Sequence, residues 1–426
     1  MTTPVATAKP EASAAKPASV TAKSEKTPAI LDRCQNVADL REAARRRLPR
    51  GIFEFFDRGS EDEASLKGNR SAFARIKLRN KVLVDVSHRT MATTLFGKPM
   101  SMPLAIAPTG VAGICWFEGE AELARAAAKA GVPFTLATPS VTSIETIAAV
   151  EGARKWFQLY MWRERDLSYA LVKRAQDAGF EALILTVDTP APPIREYNRR
   201  NGFSMPFQPN PRALFDMALH PRWLMNVMAR YLMRNGMPTL AHYPQGAVSR
   251  MAPGAAASGA PKSAVPNLRG DNLTWEDVKR LRDVWKGPLM IKGVHLPEDA
   301  ALAVEAGLDA VIVSNHGGRN LDSAVAPIEV LPEIVAQVAG RIPVLLDSGV
   351  RRGGDVVKAL ALGASAVLSG RPTLYGLSVA GEAGASHALS LLRREIDATM
   401  AFTGCVSVAD IGPRAVWLGP TAGERN

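Results

Sequence analysis

The sequence predicts an α/β protein built as a single (β/α)8 barrel, and three observations support this fold class. Eight short apolar runs recur along the chain, amphipathic segments lie between most of them, and several of those segments end at glycine, as helices often do. Strand–helix alternation at this spacing indicates parallel strands, because each crossover connection needs a helix. Eight such units in about 270 residues fit a closed barrel better than an open doubly wound sheet, and no G-x-G-x-x-G follows the first strand.

The eight predicted strands are short apolar runs, several of them rich in β-branched residues, as expected of strands buried on both faces. In chain order they are Leu104–Ala107, Phe134–Ala137, Trp156–Tyr160, Ala182–Val187, Pro288–Lys292, Ala310–Ser314, Pro343–Leu346 and Ala366–Ser369. The helices predicted between them include 118–131, 165–179 and 297–307. Active-site groups of such barrels lie at the C-terminal ends of the strands, so the polar residues found there are the candidates for a functional site.

The composition and the chain ends limit the class of protein. Of the 426 residues, 47% are hydrophobic and 22% charged, which is typical of a globular protein. The three cysteines lie far apart, so we predict a reducing compartment, no disulfide framework and no metal site. Residues 1–29 read as a disordered Ala/Pro/Lys tail, 30–415 as the barrel domain and 416–426 as a C-terminal tail. No run of about 18 apolar residues occurs, so we expect no spanning helix.

The net charge of +11 is concentrated in one segment. Between residues 191 and 270, ten basic side chains stand against two acidic ones, and no nucleic-acid-binding motif is present. We interpret about 200–270 as an insertion after the fourth strand, with 252–264 as a flexible linker. Its stretch "RWLMNVMARYLMR" (222–234) would form a helix with a narrow polar stripe of Asn226, Arg230 and Arg234. Segment 205–245 is either an interfacial anchor on anionic lipid or a lid packed on the barrel or a neighbouring subunit.

The last two strands are followed by "DSGVRRGGD" and "SGRP". Loops after strands seven and eight are the usual phosphate site of this fold, and Arg351 and Arg371 can supply the charge. Without a P-loop or a dinucleotide fingerprint, a phosphate anchor indicates FMN or pyridoxal phosphate. Lys292 fits both cofactors, because it could form a Schiff base with pyridoxal phosphate or stay protonated beside a flavin. Alternatively, it could have only a structural role and pair with a buried carboxylate.

The stretch "SNHGGR" after the sixth strand carries the main candidate for a base, His316. Asp188, at the end of the fourth strand, could orient its imidazole and stabilise the protonated form. Arg195 and Arg319 could bind a carboxylate with paired donors, and Tyr160 could hydrogen-bond the group being oxidised. These parts together indicate oxidation of a 2-hydroxy acid, by either a carbanion or a hydride-transfer route.

The chain resembles the FMN-dependent L-2-hydroxy acid oxidase and dehydrogenase family from about Ile30 to Ile411. The resemblance rests on "SNHGGRNLD", "WFQLY", "LTVDTP", "IKGV", "LDSGVRRGGDVVKALALGA" and "SGRPTLYGL". It implies His316 as the catalytic base with Asp188 as its partner, and substrate contacts at Arg195, Arg319 and Tyr160. The FMN contacts that it implies are Pro108, Thr109, Gly110, Thr138, Gln158, Thr186, Lys292, Ser314, Asp347, Ser348, Gly349, Arg351, Gly370 and Arg371.

Within this family, segment 219–243, the sequence "DSG" and Gly110 look more like the membrane-associated mandelate and lactate dehydrogenases than the soluble oxidases. The resemblance therefore favours a mandelate-like or lactate-like (S)-2-hydroxy acid as substrate and a quinone or other carrier over oxygen as acceptor. It also implies a homotetramer in the cytoplasm, peripheral on the cytoplasmic face of the inner membrane if 205–245 contacts lipid.

The family motif "YDYY" reads "FEFF" here, so Phe55 stands where the family has a substrate-contacting Tyr, and Asn320 replaces a usual Gln. Two other classes of function stay open at this point. One is a Schiff-base aldolase or isomerase that uses Lys292, and the other is a basic nucleic-acid or scaffold protein on a decayed barrel.

Overall fold

The structure is a computed structural model that describes residues 28–203, 210–234, 236–243 and 270–419. Its strands are β1 (Lys77–Leu78), β2 (Thr93–Leu95), β3 (Lys98–Met100), β4 (Leu104–Ile106), β5 (Phe134–Ala137), β6 (Lys155–Leu159), β7 (Ala182–Thr186), β8 (Leu289–Val294), β9 (Ala310–Val313), β10 (Val344–Leu346), β11 (Ala366–Ser369) and β12 (Val416–Trp417).

The helices lie mainly before the barrel and between its strands. They are α1 (Val37–Arg47), α2 (Arg50–Asp57), α3 (Ala64–Arg75), α4 (Gly119–Ala130), α5 (Ile144–Ala148), α6 (Arg165–Asp177), α7 (Glu196–Asn201), α8 (Pro211–Ala218), α9 (Pro221–Trp223), α10 (Arg230–Arg234), α11 (Trp275–Val284), α12 (Pro297–Glu305), α13 (Pro327–Val338), α14 (Gly353–Ala361) and α15 (Arg371–Thr403). A π-helical segment, Leu224–Ala229, joins α9 to α10.

The strands β4 to β11 close into one barrel in the order β10-β11-β4-β5-β6-β7-β8-β9, and all their pairings are parallel. The ring closes where β11 pairs with β4, with Val367 opposite Leu104. Nearly every strand residue is buried, because side chains face either the barrel interior or the surrounding helices. The predicted fold class is confirmed, and each barrel strand overlaps one of the predicted runs.

The N-terminal end of the barrel is closed by the hairpin of β2 and β3. Phe96, at its turn, lies 6.2 Å from Trp156 between ring centroids, and Trp156 belongs to the core inside the barrel. The larger core lies between the strands and the helices around them. Since one end of the barrel is filled, the opposite end, where the strands finish, is left for a cavity.

The predicted barrel domain, 30–415, can be compared with the described residues at both of its ends. Val416 and Trp417, which the sequence assigned to the C-terminal tail, form β12 and pair antiparallel with β1, so the fold continues past residue 415. A strand of two residues is too short to show a periodic pattern in the sequence, so β12 could not be predicted. Residues 1–27 of the predicted N-terminal tail 1–29 lie outside the described residues, as do the linker 252–264 and residues 420–426.

The described part of the insertion packs on the barrel through one helical face. Trp223, Val227 and Tyr231, spaced four residues apart, are buried. The Trp223 Nε1–H donates to the Ile114 carbonyl at 2.8 Å, and the Tyr231 hydroxyl accepts from the Glu118 N–H at 3.0 Å. The predicted alternative in which this helix packs on the barrel is therefore correct for this face.

Two residues of the predicted polar stripe lie near an aromatic ring of the barrel domain. The guanidinium groups of Arg230 and Arg234 lie 4.3 and 5.6 Å from the centroid of the Phe117 ring, at the side of the helix next to the barrel. Asn226 and Arg234 of the stripe are nevertheless exposed. Apolar side chains are exposed as well, at Leu214, Phe215, Leu219, Met225, Leu232, Met233 and Met237. Within the described ranges, no helix combines the length and apolar character that crossing a membrane requires.

Candidate active site

A cavity of about 350 Å³ opens at the C-terminal ends of the barrel strands. Its volume falls in the range of small-molecule sites. It contains the predicted substrate residues Tyr160, Arg195 and Arg319 together with His316. The predicted cofactor residues that line it are Pro108, Thr109, Gly110, Gln158, Thr186, Lys292, Asp347, Ser348, Gly349, Arg351, Gly370 and Arg371.

Two predicted cofactor residues, Thr138 and Ser314, are fully buried behind the cavity wall. The Thr138 hydroxyl donates to the Gln158 carbonyl at 2.6 Å, and the Ser314 hydroxyl oxygen accepts from Lys292 Nζ at 2.7 Å. Both side chains therefore hold cavity residues in place. Asp188 does not line the cavity either, since it lies behind His316.

His316 lies between a carboxylate and a phenol. Its Nδ1 is 2.9 Å from Asp188 Oδ1, and its Nε2 is 3.2 Å from the Tyr160 hydroxyl. Its backbone has φ 57°, and Gly317 and Gly318 both have φ 71°. Three consecutive left-handed residues form a tight turn that glycine favours, which explains why two glycines follow the histidine.

The surroundings of His316 favour a neutral imidazole beside an ionised carboxylate. Burial lowers the pKa of His316, and Lys292 adds to this, against the opposing charge of Asp188. Burial alone would raise the pKa of Asp188, but its hydrogen bond with His316 and the nearby charge of Lys292 contribute to lowering it overall. A neutral imidazole whose second nitrogen bonds a carboxylate is the state that a general base needs.

Lys292 is a buried cation with fixed partners. Its Nζ donates to Ser314 Oγ at 2.7 Å and lies 3.1 Å from Asp347 Oδ2. Burial alone would lower the pKa of this ammonium, but Asp347 and Asp188 raise it overall. Lys292 is therefore held in the protonated form, which is unsuited to act as the nucleophile of a Schiff base.

The two predicted carboxylate-binding residues lie side by side over an aromatic ring. The guanidinium carbons of Arg195 and Arg319 are 5.9 and 5.3 Å from the centroid of Phe55, and Arg195 Nη2 donates to the Arg319 carbonyl at 3.0 Å. Burial and the charge of Arg195 lower the pKa of Arg319 to about 9. Two like charges held together in a cavity favour the binding of an anion between them.

The predicted phosphate end of the cavity has the chemistry of an anion site. Arg371 donates to three carbonyl oxygens, those of Phe56, Gly317 and Arg58, and Arg351 donates to the Val350 carbonyl. Burial lowers the pKa of Arg351 to about 10. Neither guanidinium forms an ion pair with a carboxylate of the described chain, so both retain positive charge and unused donors for a phosphate.

Several cavity residues were not predicted as site residues. Val111, Pro139 and Thr189 follow the ends of barrel strands, so their position in the sequence could have identified them. Others come from outside the barrel. These are Phe56 on α2 and Leu240 and Tyr243 in the insertion. The further residues of the lining are Phe55, Ala107, Ala137, Pro193, Gly317, Asn320, Val350, Leu368 and Leu374.

The segment that ends the described insertion is fastened to the loop after β5. The Ala241 N–H donates to the Ser140 carbonyl at 2.9 Å, and His242 Nδ1 lies 3.0 Å from the Thr138 carbonyl. These bonds carry Leu240 and Tyr243 to the cavity. The periodicity of the sequence carries no signal for such residues, since their position depends on long-range packing.

The model of a family described as FMN-dependent dehydrogenase matches residues 44–418. The chain belongs to this family. An (S)-mandelate dehydrogenase of Pseudomonas putida is 42% identical over 378 residues, which are 89% of this chain and 92% of that protein. An L-lactate oxidase of a Nostoc species is 42% identical over 380 residues, covering 88% of this chain and 96% of the relative.

A solved structure of the monotopic membrane protein (S)-mandelate dehydrogenase superposes on this FMN-dependent dehydrogenase with a TM-score of 0.83. The two are 41% identical, and the match covers 91% of this chain and all of that one. The cofactor of the family is FMN. The cavity fits this group, because Arg351 and Arg371, which have no carboxylate partner among the described residues, lie at the predicted phosphate end, and the buried Lys292 ammonium lies 3.1 Å from Asp347 Oδ2.

Proposed function

We propose that this FMN-dependent dehydrogenase oxidises an (S)-2-hydroxy acid to the 2-oxo acid, with a mandelate-like substrate. A lactate-like acid is the second candidate. The observation that carries the proposal is the position of His316, bonded to Asp188 on one side and to Tyr160 on the other, in a cavity that Arg195 and Arg319 also line. A base, a carboxylate receptor and a phenol in one cavity are what oxidation of a 2-hydroxy acid requires.

In this reaction Arg195 and Arg319 bind the substrate carboxylate, and the Tyr160 hydroxyl bonds the substrate oxygen. His316 Nε2 takes a proton from the substrate, whether from the hydroxyl or from Cα, and Asp188 stabilises the imidazolium through Nδ1. When bound, FMN supplies the acceptor for the two electrons that the substrate loses. Pro108–Gly110, Gln158, Thr186, Ser348–Gly349 and Gly370 would hold it, with Arg351 and Arg371 at its phosphate.

Lys292 would stabilise negative charge that develops on the cofactor, because it is protonated and buried at the end of β8. Its bonds to Ser314 and Asp347 leave no neutral amine to attack a carbonyl. This geometry argues against the Schiff-base aldolase or isomerase. The family match argues against a nucleic-acid-binding or scaffold role.

The apolar part of the cavity supports an aromatic side chain on the substrate. Phe55, Leu240 and Tyr243 line it together with the carboxylate-binding arginines, and Phe55 presents a ring without a hydroxyl. An apolar wall stabilises an aryl group more than a methyl group, because more apolar area leaves water. This observation favours a mandelate-like acid over lactate.

We also propose that the insertion contacts the membrane and that the electron acceptor is a quinone or another carrier. Seven apolar side chains between Leu214 and Met237 are exposed, whereas Trp223, Val227 and Tyr231 pack on the barrel, and basic residues lie among the exposed ones in the sequence. Such a surface suits an interfacial helix on anionic lipid. The similarity to a monotopic membrane protein supports peripheral binding to a membrane. We place this contact on the cytoplasmic face of the inner membrane and propose a homotetramer, as the family resemblance implies.

Anaerobic reduction of the bound flavin tests the reaction and the substrate class. Holoenzyme is mixed without oxygen with each enantiomer of mandelate and of lactate, and with the achiral glycolate, and the visible absorbance is followed. We expect rapid bleaching with (S)-mandelate, slower bleaching with (S)-lactate and none with the (R) acids. Failure of every 2-hydroxy acid to bleach the flavin would refute the proposed function.

Reoxidation of the bleached enzyme identifies the acceptor. In separate stopped-flow experiments the reduced enzyme is mixed with air-saturated buffer or with a water-soluble quinone, and recovery of the oxidised flavin spectrum is measured. The proposal predicts at least tenfold faster recovery with the quinone. Equal or faster recovery with oxygen would make the protein an oxidase.

A further inference from the structure

The end of α2 contacts one arginine of the predicted carboxylate site, Arg319, and one of the predicted phosphate site, Arg371. The Arg58 carbonyl accepts from Arg319 Nη1 at 2.9 Å and from Arg371 Nη2 at 3.3 Å. The Phe56 carbonyl accepts from Arg371 Nε at 2.9 Å and from Arg319 Nη1 at 3.5 Å. Two backbone oxygens of one short segment therefore orient the guanidinium groups of both arginines.

These carbonyls are suited to the task because they lie at the C-terminal end of a helix. The last carbonyls of a helix have no partner within it, and the helix dipole makes this end negative. Arg319 and Arg371 repel one another, and the charge of Arg371 contributes to the lowered pKa of Arg319. The negative helix end stabilises the two cations in one arrangement.

Asp57, between the two carbonyl residues, fastens the segment through its side chain. Its carboxylate accepts from Arg41 Nε and Nη2, both at 2.6 Å, and from the Tyr375 hydroxyl at 2.7 Å. Asp57 is buried, and Tyr375 is on α15, four residues after Arg371. The carboxylate thus connects α1, α2 and α15, and Asp57 itself does not line the cavity.

We propose that Asp57 is a positioning residue that fixes the end of α2 and so sets the substrate-carboxylate site and the cofactor-phosphate site together. This inference rests on the proposed function, because it takes Arg319 as the carboxylate receptor and Arg371 as a phosphate contact. It makes the two sites dependent on one anchor, although they bind different molecules. Loss of the anchor weakens both sites and leaves the His316–Asp188 pair intact.

The test compares Asp57→Asn and Tyr375→Phe with the wild type. The control is Glu54→Gln, a carboxylate on the same helix that contacts Arg50 and Asn201 instead. FMN and riboflavin are titrated into stripped protein, and quenching of flavin fluorescence gives both dissociation constants. Riboflavin lacks the phosphate, so the ratio of the two constants isolates the contribution of the phosphate site. Steady-state kinetics at saturating FMN gives KM and kcat.

For Asp57→Asn we expect the KM for the 2-hydroxy acid to rise at least tenfold, the preference for FMN over riboflavin to fall at least tenfold, and kcat to stay within threefold. Tyr375→Phe keeps the ring and removes one bond, so it shifts the same two quantities in the same direction by less. Glu54→Gln changes none of them. If Asp57→Asn does not fold, Tyr375→Phe decides the question.

The inference is overturned if the folded variants keep both the KM and the FMN preference within twofold of the wild type. A lower melting temperature alone, with KM unchanged, would mean that Asp57 only stabilises the fold. These outcomes are distinct from failure of the proposed function, in which the wild-type protein itself would not oxidise any 2-hydroxy acid.

Discussion

The Oδ1 atom of Asp188 lies 2.9 Å from Nδ1 of His316, and this contact joins the ends of β7 and β9, the two strands that flank β8. Asn320 holds the aspartate from behind, since its Nδ2 donates to the Asp188 carbonyl at 2.7 Å. The imidazole is thereby fixed with Nε2 towards Tyr160 and the cavity. The proposed chemistry depends on this orientation and on the charge of the carboxylate.

Asp188→Asn removes the charge and keeps the shape. We expect the rate of flavin reduction to fall by roughly 10²–10⁴-fold, the range for loss of assisted proton transfer, because the imidazolium loses its counter-charge. Pre-steady-state bleaching measures the rate. Asp166→Asn, an exposed change at the start of α6, serves as the control and is expected to leave the rate unchanged.

The pH dependence follows from the lowered pKa of His316. The base is active when neutral, so kcat/KM falls only as the pH drops through a pKa below the ordinary value of 6.5. In Asp188→Asn the acidic limb moves to still lower pH, because the negative charge that raised this pKa is gone. A limb that stays in place, or moves up, in a pH profile of kcat/KM would contradict the assignment of the base.

Arg319→Lys keeps the charge and loses the planar pair of donors. Removing a hydrogen bond to a charged group costs about 1.5–3 kcal/mol, so KM for the 2-hydroxy acid should rise about 10–100-fold. Arg200→Lys, a change at an exposed side chain that pairs with Glu196, is the matched control. Steady-state kinetics that show equal KM values for the two variants would remove Arg319 from the carboxylate site.

Phe55→Tyr restores the hydroxyl that the family pattern carries at this position. The new hydroxyl would lie beside Arg195 and Arg319, whose guanidinium groups flank the ring. We expect KM for lactate to fall by roughly 10-fold, the value of one added hydrogen bond of about 1.4 kcal/mol, and KM for mandelate to change less. An unchanged KM for lactate would show that the substrate carboxylate does not reach Phe55.

The proposed membrane surface can be tested without disturbing the barrel. Met225 and Met233 are exposed, whereas Trp223 and Tyr231 hold the same helix to the barrel. The double change Met225→Glu and Met233→Glu should reduce co-sedimentation with anionic lipid vesicles at least tenfold and leave flavin content unchanged. Leu302→Glu, at a partly exposed leucine of α12, controls for added charge. Equal sedimentation of both variants would refute lipid contact through this helix.

Much of the fold and the barrel-borne site follows from local sequence patterns. Each barrel strand is a short apolar run, and a polar residue at its end necessarily faces the same opening, which is why His316, Lys292 and Arg371 could be assigned together. The contribution of α2 could not be predicted in this way. Phe56 and Arg58 act through backbone carbonyls, which carry no residue-specific signal.

The insertion shows the same limit. The apolar and basic pattern of 222–234 predicted a helix, but it could not tell which side of the helix packs on the barrel. Trp223 and Tyr231 determine this through bonds to Ile114 and Glu118, more than 100 residues away in the chain. Long-range contacts of this kind are fixed by tertiary packing and leave no periodic trace in the sequence.

Anaerobic bleaching of the flavin in His316→Gln tests the central claim most directly. Glutamine keeps a polar side chain of similar reach and cannot act as a base. We expect the variant to bind FMN with a normal visible spectrum and to be reduced by (S)-mandelate roughly 10²–10⁴-fold more slowly than the wild type. Bleaching of fully loaded His316→Gln at the wild-type rate would contradict the account.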